Sequence, residues 1–208
     1  MDKDKIIEIE NFIFRVKKKP LVAAGMMADI MGVLIDLKPA MIGGFEEDEF
    51  KSFRIEDFNK LLDDLGLERV YFENHYYVND KKNTDKDFCI SKKIRLAEQT
   101  HEAFVELWST MDNVGEVLNH KKWLITTRKI GKLLGYPKTA IDDFTKETDI
   151  DSEDRIERMK RNRYYTHSAK YENDEFKLYD QRLNRALANF APKTTALLSK
   201  NTEKRWLV

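Results

Sequence analysis

The chain has 208 residues, of which 37 are basic, 37 acidic and 41% apolar, with one cysteine. The charge balance excludes a whole-molecule field that would draw the protein to nucleic acid or membrane, so any such attraction has to be local. A lone Cys89 excludes an intrachain disulfide and fits a reducing, cytoplasmic setting, and apolar residues recurring at helical spacing exclude a disordered chain despite its polar average.

Met1-Asp2-Lys3-Asp4-Lys5 leads into a charged amphipathic helix and lacks the apolar core of a signal peptide. Over Lys3 to Lys17, Ile6, Ile9, Ile13 and Val16 share one helical face, and Pro20 separates this helix from the next. Leu21 to Leu37 is the one stretch that resembles a membrane span, but it is 17 residues long and carries Asp29 and Asp36, so a buried helix is expected, with Met26, Met27 and Met31 as core filler. Ala40 to Gly44 reads as a short strand closed by a two-glycine turn. Ile55 to Leu65 reads as a helix stopped at Gly66, and Arg69 to Asn79, rich in Val, Tyr and Phe, as a strand. Asp80 to Asp87 reads as a polar turn before a second strand, Phe88 to Ile90, which completes a hairpin. Tyr71, Tyr76 and Tyr77 are expected to pack this hairpin on its helices, and Cys89 to act as a small core hydrophobe rather than a nucleophile.

From Ile94 the pattern is helical: Ile94 to Met111, Val114 to Leu134, Lys138 to Lys146, Ser152 to Tyr164, Tyr171 to Phe190 and Lys193 to Ser199. The expected fold is therefore a helix-dominated α+β protein with a small antiparallel sheet. Its body spans residues 1–148, and a helical carboxy-terminal lobe, 149–208, packs on it as one unit, joined near Asp149 to Asp154.

Gly135 follows Leu133-Leu134 where a left-handed closing residue belongs, and Pro137 sits where a fixed φ costs least at a helix start. Gly131 to Pro137, with Leu187-Ala188-Asn189-Phe190-Ala191-Pro192, resembles a set of uncharacterised prokaryotic proteins that share a Leu-Leu-Gly-Tyr-Pro turn. Members of that set carry two cysteines after Tyr-Pro, where this chain has Lys138-Thr139-Ala140, and the resemblance implies no function.

Three surfaces carry the chemistry the sequence offers. Gly25, Asp29, Gly32 and Asp36 fall on one helical stripe. The stripe reads either as a shallow acidic groove for a cation, an amine or a packed partner, or as a solvent edge neutralised by nearby Lys or Arg. His101 falls among Ala97, Phe104, Val105 and Trp108, with Glu98 one turn earlier in the Glu-x-x-His spacing of bundle carboxylate metal sites. No second copy of that spacing occurs, so the alternatives are a metal or acid/base site and a core histidine hydrogen-bonded to a neighbour such as Glu98.

The third surface is basic. Lys121, Lys122, Arg128, Lys129 and Lys132 share one side of a helix, opposite Trp123, Ile130 and Leu134. Arg155 to Lys170 adds Arg155, Arg158, Lys160, Arg161, Arg163 and Lys170, interleaved with Tyr164, Tyr165 and His167 and followed by Tyr171. Such cations neutralise phosphates and tyrosines stack on bases. Equally, the basic residues balance Glu46 to Asp64, where eight acids meet three bases, and would dock there within the chain or across a dimer.

No Gly-rich phosphate loop, Gly-x-Ser-x-Gly elbow or His-Glu-x-x-His helix occurs, and no cofactor is expected. The leading expectation is a non-catalytic cytoplasmic binding module that meets a protein partner or a second copy of itself, without membrane. The alternatives are binding of nucleic acid or a phosphate-bearing ligand through residues 121–132 and 155–171, and an enzyme or metal site around Asp29, Asp36, Glu98 and His101.

Overall fold

The computed structural model describes residues 1–78, 81–111, 117–146 and 174–204. The chain opens with α1 (Lys3–Val16), whose N-cap Asp2 accepts the N–H groups of Asp4 and Lys5, and α2 (Pro20–Leu34), started by Pro20. Strand β1 (Ala40–Phe45) leads through the short α3 (Glu47–Phe50) to α4 (Ile55–Asp64). Strands β2 (Glu68–Val78) and β3 (Lys81–Ser91) follow, then α5 (Ile94–Trp108), α6 (His120–Leu133) and α7 (Lys138–Lys146). The last described helices are α8 (Asp174–Phe190) and α9 (Pro192–Lys204).

The three strands form an antiparallel sheet in the order β1-β3-β2, so the fold is the expected helix-dominated α+β. Alternation along the strands splits the sheet into two faces. Met41, Phe45, Tyr71, Phe88 and Ile90 face the apolar cluster built from α1, α2 and α4. Phe45, Phe58 and Phe88 form its aromatic centre, with ring centroids 5.2 to 5.4 Å apart. Cys89 and Phe72 point the other way, toward α5. Leu183, Ala186 and Leu187 of α8 and Leu198 of α9 belong to the same apolar cluster as α1 and α2, so the carboxy-terminal helices close the core at the amino-terminal end of the chain.

Several sequence expectations need correction. Lys81 to Asp87 is strand, not turn, while Asp80 lies outside the described residues. Strand β3 begins at Lys81 and pairs residue for residue with β2, from Val78↔Lys81 to Glu68↔Ser91. Its first half is polar throughout, so pairing rather than apolar alternation makes it a strand. Gly43 and Gly44 do not close β1 either; they lie within it, opposite Phe88 and Asp87. A Cβ on Gly43 would stand 2.8 Å from the Phe88 ring, so the missing side chain makes room for that ring.

The second helix stops at Leu34, short of the expected Leu37. Asp36 adopts φ 58°, and the N–H of Leu37 donates to the Gly32 carbonyl at 2.9 Å. Asp36 thus holds the left-handed closing position that glycine usually takes. Gly66 and Gly135 hold the same position after α4 and α6, as expected, with φ of 68° and 76°. The helix expected from Val114 begins only at His120, where Asn119 caps it by accepting the N–H of Lys122. The helix expected over Ser152 to Tyr164 and the joint at Asp149 to Asp154 lie outside the described residues.

Candidate functional site

The acidic stripe of α2 is not a groove. Lys38, just past the helix, lays its aliphatic stem over Gly32, where a Cβ would stand 3.1 Å from its Cδ, and its ammonium pairs with Asp29. The Lys38 side chain is 5% exposed, so it fills the space the glycine leaves. Asp36 lies off the helix, exposed, and pairs with Lys92 at 2.8 Å. Both carboxylates are therefore neutralised by lysines, the second of the two sequence alternatives, and Gly32 serves to admit the Lys38 stem.

His101 is half-buried, and its ring stacks on Phe72 of β2 at 4.7 Å between centroids and 28° between planes. Phe104 continues this row from Phe72 to Trp108. Glu98 is exposed and makes no hydrogen bond to His101. The expected histidine–carboxylate contact is thus replaced by an aromatic one, and no hydrogen bond or ion pair joins Asp29 or Asp36 to His101. Among the described residues, no group of three or more His, Cys, Asp or Glu is placed to hold a metal ion.

The basic side of α6 stands as the sequence predicts. Lys121, Lys122, Arg128, Lys129 and Lys132 are all exposed, while Thr126, Ile130 and Gly131 are buried. The helix contains no carboxylate. Lys129 meets Glu106 of α5 at 3.5 Å, and Arg128 Nε donates to Thr145 Oγ1 of α7 at 3.3 Å, which fixes the guanidinium against a buried hydroxyl. Lys121 and Lys132 make no ion pair among the described residues. Arg158, Arg161, Arg163, Tyr164 and Tyr165 lie outside the described residues.

Ile125 is the residue sequence reading missed. It falls in the middle of this basic side and is 59% exposed. Val105 and Trp108 at the end of α5, and Val117 and Leu118 before α6, are also exposed, so large apolar side chains concentrate along the segments that lead into this helix. The signal was present: position 125 lies four residues from Lys121 and Lys129 and three from Lys122 and Arg128, on their own stripe.

Two adjoining open grooves meet at Arg128 and Lys132. One, of about 570 Å³, runs between α5 and α6 past Glu102, Ile125 and Leu133. The other, of about 460 Å³, runs toward α7 past Tyr136, Lys138 and Asp142.

Among the described residues, six of the eight acids of Glu46 to Asp64 pair with cations outside α6, while the basic residues 155–170 lie outside the described residues. Lys17, Lys18 and Lys19, in the link between α1 and α2, pair with Glu49, Asp48 and Glu46. Glu47 pairs with Lys51, Asp57 with Arg54, and Asp63 with Arg69. The Lys17–Glu49 pair is buried, 2.6 Å long, with side chains 6% and 3% exposed. Burial pushes the Glu49 carboxyl up, but the Lys17 ammonium and the N–H groups of Lys18 and Glu46 outweigh it and hold the group below its ordinary value. Elsewhere burial pushes the Cys89 thiol up to about 12 and raises the Tyr71 phenol, whose hydroxyl donates to Asn59 at 2.7 Å.

Among the described residues, no helix is long and apolar enough to cross a membrane. Comparisons of the chain with protein families, curated proteins and solved structures find no match.

Proposed function

We propose that this protein is a non-catalytic cytoplasmic binding module whose α6 face takes an acidic, partly apolar segment of a protein partner. The observation that carries this reading is Ile125, an exposed apolar anchor set among Lys121, Lys122, Arg128, Lys129 and Lys132 on a helix without a carboxylate. An exposed apolar side chain set among polar and charged ones is the composition of a recognition surface. Among the described residues, six of the eight acids of residues 46–64 pair with cations outside α6, and Lys121 and Lys132 make no ion pair, which leaves their charge available to a partner.

A second reading rests on the groove toward α7. Arg128, Lys132 and Lys138 stand there beside Tyr136, cations with an aromatic ring as a phosphate-bearing ligand or nucleic acid requires.

Fluorescence anisotropy with two labelled probes of equal charge separates the two, one an amphipathic Leu/Glu peptide and the other a single-stranded oligonucleotide. The protein-partner reading expects the peptide to bind more tightly and Ile125→Ala to weaken it about fivefold, the effect of about 1 kcal/mol of lost apolar burial. Preference for the oligonucleotide with steep salt dependence and no effect of Ile125→Ala would select the phosphate reading.

A further inference from the structure

Strand β2 is 11 residues long and lies at the edge of the sheet, paired with β3 on one side along its whole length. From its other side, no backbone hydrogen bond reaches any other described segment. Natural edge strands are blunted by proline, charged side chains, a bulge, short length or a covering segment. Glu68-Arg69-Val70-Tyr71-Phe72-Glu73-Asn74-His75-Tyr76-Tyr77-Val78 has no proline, its register against β3 is unbroken, and its charges, Glu68, Arg69 and Glu73, are of both signs, so a second copy can match them. The other edge, β1, has 6 residues, two of them glycine.

We propose that the open edge of β2 pairs antiparallel with β2 of a second copy of this chain, in the register that sets Tyr71 opposite itself and Arg69 opposite Glu73. In a two-fold pairing within one continuous sheet, residues that face each other must point to the same side, so each register is centred on one residue. Centring on Tyr71 sets Arg69 opposite Glu73 twice and Val70 opposite Phe72 twice, which makes opposite-charge pairs on one face and apolar pairs on the other. Moving the centre to Val70 sets Glu68 opposite Phe72. Moving it to Phe72 sets Tyr71 opposite Glu73, and moving it to Glu73 sets that carboxylate against its own copy.

The intrachain pairs reinforce the same choice. Arg69 already meets Asp63, and Glu73 meets Lys86, its cross-strand neighbour. Joining two copies in this register makes a row of alternating charge: Asp63, Arg69, then Glu73 and Lys86 of the second copy. On the opposite face, Phe72 extends the aromatic row it shares with His101 and Phe104. This interface is independent of the α6 face, so either can fail alone.

The test combines sedimentation across a concentration series with hydrogen exchange of the full chain at both ends of that series. The proposal expects a monomer–dimer equilibrium in which amides of residues 68–73 gain protection with concentration while those of residues 40–45 do not. Arg69→Glu and Glu73→Arg are each expected to weaken the dimer about tenfold, and the two together to restore it. A monomer at every concentration overturns the proposal. Protection of β2 that ignores concentration, as an intrachain segment laid along it would give, overturns it too, and neither result depends on the variants folding.

Discussion

The backbone N–H of Thr194 donates to a Glu10 carboxylate oxygen at 2.8 Å, and that of Lys193 to the other oxygen at 3.3 Å. Glu10 sits on α1, fully buried, while the two donors lie in the first turn of α9, 183 and 184 residues later. The residue before that helix, Ala191, offers no side-chain acceptor, so the cap comes from another helix. Glu10→Ala is expected to cost about 2 kcal/mol, since it strands the buried Thr194 donor as well as removing a cap. Urea unfolding with hydrogen exchange at Lys193 and Thr194 checks this. Glu10→Gln, which keeps an amide oxygen, should cost less, and equal stability of all three proteins would contradict the account.

The Lys17–Glu49 pair predicts the acid limb of stability. Glu49 lies below its ordinary value of 4.5 in the folded chain, so its contribution is complete above that value and is lost as the pH falls through the folded value. Stability measured by denaturant titration should therefore drop as the pH falls below 4.5, and less steeply in Glu49→Gln. At neutral pH Lys17→Met should cost about 3 kcal/mol, because it leaves Glu49 buried without its counter-charge, and Lys17→Met with Glu49→Leu should cost less than either alone.

Two glycines with the same backbone conformation should behave differently. A Cβ on Gly66 meets nothing within 4 Å, whereas one on Gly135 would stand 2.6 Å from the Leu37 carbonyl oxygen and 2.9 Å from the Lys38 Cα. Gly66→Ala is expected to cost about 1 kcal/mol for the left-handed φ alone. Gly135→Ala should cost at least about 2 kcal/mol more, because it also parts the turn after α6 from the turn after α2. Equal losses in chemical unfolding would show that the two turns do not press on one another.

Local signals made most of the helices legible. Apolar spacing located α1, α4 and α7, and Gly66 and Gly135 marked the stops of α4 and α6, because those features depend only on neighbours along the chain. The polar half of β3 and the glycines inside β1 were misread, because what makes them strand is the β2 pairing and the Phe88 ring. The left-handed Asp36 escaped for a related reason, since aspartate takes that conformation rarely. For the candidate site, the cations of α6 were legible from their shared stripe. The lysines that neutralise Asp29, Asp36 and Glu49 were not, since Lys38, Lys92 and Lys17 reach those carboxylates through the fold.

Cys89 should be inert while the protein is folded. It is fully buried on the α5 side of the sheet, and burial pushes its thiol up to about 12, so almost no thiolate forms at neutral pH. Modification by a disulfide reagent is expected to proceed only through unfolding, with a rate that rises with urea in step with the loss of structure. Rapid labelling without denaturant would contradict its placement.

The most direct test of the α6 face as the binding surface is a photo-crosslinking amino acid placed at Ile125, with the same group at the exposed Glu8 as control, in cells that make the protein. The account predicts a discrete protein adduct from position 125, absent from position 8 and lost when Lys121 and Lys132 are reversed to Glu. Adducts that are the same at both positions, or none at position 125, would contradict it.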